Sequence, residues 1–85
     1  MNHSVDYIVR AVGFEHIAEA SASTENTVTA SAARKWLRNG IPEIHWWIFI
    51  ERVGVTANDI YQANCALRQE QSERALRRLD EPTAA

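Results

Sequence analysis

The sequence predicts an all-α fold: a compact bundle of about five helices whose last helix extends beyond the rest. Three observations carry that expectation. The 85 residues are 46% hydrophobic and contain three glycines and two prolines, which suits one globular domain of helix formers and leaves no room for a second core. Each glycine (Gly13, Gly40 and Gly54) follows a stretch with helical periodicity, where a residue without Cβ can close a helix in a left-handed conformation. No alternating polar and apolar run of useful strand length occurs, and no internal repeat is apparent.

Taken in order, the first helix has Ser4 as N-cap and Asp6 near its positive end, with Val5, Ile8, Val9 and Val12 forming an i, i+3, i+4, i+7 stripe for the core. After Gly13, the stretch "FEHIAEASAS" repeats that spacing with Phe14, Ile17, Ala18 and Ser21. The apolar period then lapses in "STENT", which reads as a loop. Thr29 is a reasonable N-cap for the third helix, with Thr24 and Thr27 as rivals that would start it earlier. Within it Ala33, Trp36 and Leu37 share one face, while Ser31, Arg34, Lys35 and Arg38 occupy the opposite one.

The stretch "NGIPEIHWWIFIERVG" ends the third helix at Gly40 and opens a fourth with Pro42 at or near its first turn, where the missing N–H is not needed. Ile44, Trp46, Trp47, Ile48, Phe49 and Ile50 leave that helix apolar on nearly every side, which predicts a central helix enclosed by the others. One of the two tryptophans is expected to point inward and one to lie at a dimer seam. The fifth helix begins with Thr56 and Asp59 in capping-box spacing, has Ile60, Ala63 and Leu67 to bury, and is halted by Pro82. Beyond Arg68 it is largely polar, with Glu70–Arg74 and Glu73–Arg77 pairs at i, i+4, so this half is expected to project or fray.

Charge distribution gives the first indication of function. The chain carries a net charge of −2, yet residues 26–42 hold three cations and no acid. A basic helix face with short side chains, preceded by another short helix, suits a reader of the DNA major groove, which admits one helix and whose phosphates attract cations. On that reading Arg34 and Lys35 reach guanine edges and Ala30 meets a thymine methyl. Ser31 bonds a base or a phosphate, and Thr27, Thr29 and the N–H groups at the helix start take phosphate oxygens. Arg38 completes the positive stripe. The same residues also fit a merely solvated face, and periodicity does not choose between the two.

The segment "VTASAARKWLRNGIPEIHW" resembles the recognition helix and following turn of small Cro-like and YdaS-like helix-turn-helix proteins of bacteria and their phages. Val28, Thr29, Ala32, Ala33, Arg34, Trp36, Gly40, Ile41, Pro42, His45 and Trp46 fall on that pattern in order. The likeness covers roughly residues 8–64, with its specific part at 28–46. The sequence departs from it in two places: "ASTENT" replaces the usual brief Gly-containing turn, and Trp47 stands where these families often have proline. The resemblance implies a helix-turn-helix DNA-binding domain over residues 1–67, followed by a polar C-terminal extension at 68–85. Because one helix covers only a few base pairs, the DNA-binding reading further predicts a homodimer on double-stranded DNA, repressing transcription at an inverted-repeat operator.

Other chemistry finds little support. One cysteine, Cys65, excludes an intramolecular disulfide and a cysteine-built zinc site, making a reducing cytoplasm the default, with association to the nucleoid when bound to DNA. Cys65 is expected to be a small packing residue. His3, His16 and His45 are scattered, so neither a metal nor any other cofactor is expected; His45 reads as a turn or interface residue, and His16 with Glu19 as a surface contact. No nucleophile and base arrangement marks an enzyme. The start lacks an export signal, and the longest apolar cluster, at 46–50, is far too short to span a membrane. Two rivals to the repressor reading remain. One is an antitoxin or phage-control protein that binds a second protein through its C-terminal helix; the other is a helical adaptor that never touches DNA.

Overall fold

Ser4 opens the fold as its capping position predicts: its side-chain oxygen accepts the backbone N–H of Tyr7 at 3.0 Å. The computed structural model describes residues 3–80, and over them the chain forms five α-helices and no strand. Helix α1 spans Val5–Val12, α2 Phe14–Ala22, α3 Ala30–Asn39, α4 Trp46–Arg52 and α5 Ala57–Asp80, with a 3₁₀ turn at Glu43–His45 before α4. Gly13 alone joins α1 to α2, at a φ of 92° that lets one residue end the first helix and start the second.

The core draws on every helix. Val5, Ile8 and Val9 of α1 meet Ile17 of α2, Ala33 and Trp36 of α3, Ile48 and Phe49 of α4, and Ile60 and Ala63 of α5. Ile41 and Val55 add to it from the connections. Helix α1 touches all four of the others, and Ile8 and Val9 have no exposed surface. The central helix is therefore α1.

The fourth helix departs from the expectation of an enclosed centre. Pro42 lies in extended backbone ahead of the 3₁₀ turn, so α4 starts only at Trp46 and has seven residues. Two turns offer one side to the core, and Ile48 and Phe49 fill it. Trp46 is half-buried, while Ile44, Trp47 and Ile50 remain 58%, 37% and 40% exposed. These three fall at i, i+3, i+6 and form an apolar strip on the surface.

At the start of α5 the capping box forms in full: Thr56 N–H donates to Asp59 Oδ2 at 2.9 Å, and Asp59 N–H to Thr56 Oγ1 at 3.1 Å. Donation to its carboxylate, by the Thr56 N–H foremost and then by the Thr56 hydroxyl, holds Asp59 below its ordinary pKa. The helix then runs unbroken through residue 67, so the change there is from packed to exposed rather than from one element to another. Arg74 pairs with Glu70 at 2.6 Å, but the expected Glu73–Arg77 pair does not form. Pro82, the expected stop, lies outside the described residues. No described helix is long and apolar enough to cross a membrane.

Candidate nucleic-acid interface

The presentation of α3 begins with a buried serine. Ser21, at the end of α2, donates its hydroxyl to the Ala18 carbonyl at 3.0 Å and accepts the Val28 N–H at 2.8 Å. One side chain thus ties the last turn of α2 to the approach of α3. The intervening loop is shaped further by Thr24, whose hydroxyl donates to the Ser21 carbonyl at 2.7 Å and accepts the Asn26 N–H at 3.2 Å. The "ASTENT" connection is therefore a bonded turn. Thr29 settles the competition among the threonines: its Oγ1 accepts the Ala32 N–H at 3.1 Å and its backbone is extended.

The two faces of α3 fall where their spacing predicts. Ala33 and Trp36 are buried and Leu37 half-buried, while Ser31, Arg34, Lys35 and Arg38 are all exposed. Thr27 and Thr29 are exposed as well, and the Thr29 hydroxyl hydrogen is not used by the cap, which leaves it able to donate to a phosphate. Ala30 is half-buried, so only part of its methyl is offered to a thymine. Among the described residues the ion pairs are Arg10–Asp6 and Arg74–Glu70. The three cations of α3 have no carboxylate partner there, and their charge remains available to a polyanion.

Sequence reading missed the border of this face. The guanidinium of Arg34 lies 5.3 Å from the centre of the Phe14 ring on α2, and that of Arg10 lies 5.9 Å from the same ring. Phe14 thus seats Arg34 between α2 and α3, using the attraction of a cation to an aromatic face. The acids are not all remote from the stripe, because Glu43 lines the same groove as Lys35.

A second unpredicted feature holds the far end of α3. Gly40 closes the helix at a φ of 89°, and the buried Asn64 of α5 grips the peptide that follows. Its Oδ1 accepts the Ile41 N–H and its Nδ2 donates to the Ile41 carbonyl, both at 2.9 Å. Trp46 Nε1 donates to that same carbonyl at 2.8 Å. The Gly-Ile-Pro turn is therefore clamped to α5, which fixes the angle at which α3 leaves the bundle. The available signal was a polar residue at the spacing of Ile60 and Leu67.

Below the clamp, His45 is buried and stacks on Trp36 with ring centres 5.1 Å apart. Burial lowers its pKa below the ordinary histidine value. In the unfolded chain this imidazole takes up a proton near pH 6.5, so acidification favours the unfolded state through that window and stability is restored as the pH rises past it. Denaturation midpoints compared at pH 7.5 and pH 5.5 are expected to fall less for His45→Phe, which keeps an aromatic ring, than for the natural chain. An equal fall in both would remove His45 as the source.

Among the described residues no group of three His, Cys, Asp or Glu side chains could hold a metal ion. Cys65 is half-buried beside the groove that Lys35 lines. His16 turns its Nδ1 to the Val12 carbonyl at 3.1 Å, and no bond to Glu19 forms. Comparison with protein-family models, with curated proteins and with solved structures finds no match to this chain.

Proposed function

We propose that the protein is a sequence-specific DNA-binding regulator of transcription that inserts residues 29–39 into the major groove. The observation that carries this reading is the exposed face of Arg34, Lys35 and Arg38 with no carboxylate partner among the described residues, on a helix held by a Ser21 staple at one end and an Asn64 clamp at the other. A groove-reading helix needs both features, since its charge draws it to phosphate and its fixed angle sets the register on base edges. Arg34 and Lys35 read bases, Thr27, Thr29 and Arg38 hold phosphates, and Ser31 serves either. The resemblance of residues 28–46 to Cro-like and YdaS-like proteins supports the same assignment.

One such helix covers only a few base pairs, so the working species is a homodimer on an inverted repeat, with half-sites about 34 Å apart. The exposed strip of Ile44, Trp47 and Ile50 supplies the seam, an aromatic anchor flanked by aliphatic side chains. Repression follows from occlusion of a promoter by the bound dimer, in the cytoplasm where the nucleoid lies.

The test is selection of an operator from random duplexes, followed by titration of variants at several salt concentrations. Arg34→Ala and Lys35→Ala are each expected to cost about 1–3 kcal/mol of specific binding and to alter sequence preference. Arg38→Ala is expected to make the salt dependence shallower by about one or two units per dimer. No DNA binding at low salt by a folded dimer would reject the reading and leave Trp47 and the C-terminal helix to a protein target.

A further inference from the structure

Residues 68–78 of α5 are all exposed and contribute nothing to the core. Yet this half is not detached from the bundle. The Gln71 side-chain amide donates to the Arg38 carbonyl, joining the extension to the C-terminal end of α3. Around that bond the two helices enclose a groove of about 330 Å³ lined by Arg38, Gln71, Arg74, Ala75 and Arg78, with no carboxylate on its wall among the described residues. A second groove, of about 580 Å³, lies between the same helices and brings Lys35 and Arg68 to one opening, with Glu43 as the acid on its wall. Arg68 lines the one groove and Gln71 the other, one turn apart on α5, so the two grooves open at successive turns of that helix along its seam with α3.

Among the described residues whose side chains border this seam, the charge is positive. Residues 68–78 carry four arginines against two glutamates, a surplus of two, and Glu70 is already engaged by Arg74. Ten residues of helix separate Arg68 from Arg78, a rise of about 15 Å. One strand of a duplex presents a phosphate about every 3.4 Å along its axis, so that span faces about four phosphates. Arginine suits this task because its planar guanidinium meets phosphate oxygens two at a time.

We propose that the α3–α5 seam is a track for the sugar–phosphate backbone, in which Arg68 and Arg78 hold the strand flanking the base pairs that α3 reads. The proposal rests on the DNA-binding reading above and adds to it a sequence-independent part of the interface. It also gives the exposed half of α5 a purpose that packing does not.

The test compares the natural chain with Arg68→Gln/Arg78→Gln on the selected operator and on an unrelated duplex, after circular dichroism has verified the helix content. Contacts from α3 alone give a slope of log affinity against log salt near −3 to −5 per dimer, at about −0.9 for each phosphate. Two more arginines per protomer steepen this to about −7 to −9, and the double variant is expected to return to the shallower range. Its affinity should fall by the same factor on both duplexes, because phosphate contacts carry no sequence information. The single variant Arg78→Gln, at the exposed end, should show about half the change in slope. A natural chain that binds with a slope of −3 to −5, unchanged by the double substitution, overturns the track while leaving the α3 reading intact. A changed sequence preference in the double variant overturns it too, and failure of the natural chain to bind DNA removes both.

Discussion

Trp36→Ala is expected to lower stability by about 3–5 kcal/mol, the usual cost of removing a buried aromatic side chain. Trp36 is buried on the inner face of α3, stacks on His45 and meets Phe49 edge-on with ring centres 6.2 Å apart. Its removal opens a cavity where α3, the 3₁₀ turn and α4 converge. It also leaves His45 without the ring on which it stacks. Small domains are stable by only about 5–15 kcal/mol, so the variant should melt far below the natural chain in a thermal scan followed by circular dichroism. Trp36→Phe, which refills part of the space, should recover much of the loss. An unchanged melting temperature for Trp36→Ala would mean that Trp36 is not buried against His45 and Phe49.

Gly40→Ala should cost about 2–4 kcal/mol, through two effects that meet at one atom. The backbone at Gly40, with φ 89° and ψ 168°, lies in a region that residues with a Cβ occupy only under strain. A Cβ built there would stand 2.9 Å from Asn64 Oδ1, the oxygen that accepts the Ile41 N–H. The added methyl therefore pushes on the clamp and strands a buried donor, which costs about 1–3 kcal/mol by itself. Asn64→Ala should cost a similar 1–3 kcal/mol, because the Ile41 carbonyl keeps its bond from Trp46 while the N–H loses its partner. The two substitutions share one contact, so their combined cost in urea denaturation should be less than the sum of the single costs. Full additivity would mean that Gly40 and Asn64 act independently and that the close approach is inconsequential.

The sequence by itself determined the helices and most of their boundaries, because these depend on short-range chemistry. Ser4, Thr29 and the Thr56–Asp59 box cap within three residues of themselves, and glycines end helices where their own backbone allows it. The burial of Trp36 and Ala33 opposite an exposed Arg34, Lys35 and Arg38 was legible for the same reason: helical phase is a local property. Tertiary structure alone decided which helix occupies the centre. The richly apolar stretch 44–50 reads as an enclosed helix, but the 3₁₀ turn shortens α4 to two turns, and α1 takes the middle with Ile8 and Val9. Composition counts apolar side chains without saying how many neighbours remain to cover them, so Ile44, Trp47 and Ile50 are left at the surface. The clamp of Asn64 on Ile41, 23 residues away, and the seating of Arg34 on Phe14 were likewise out of reach. Each joins groups distant in sequence, and no spacing rule within a helix specifies where two separate helices bring a carboxamide to a peptide or a guanidinium to a ring.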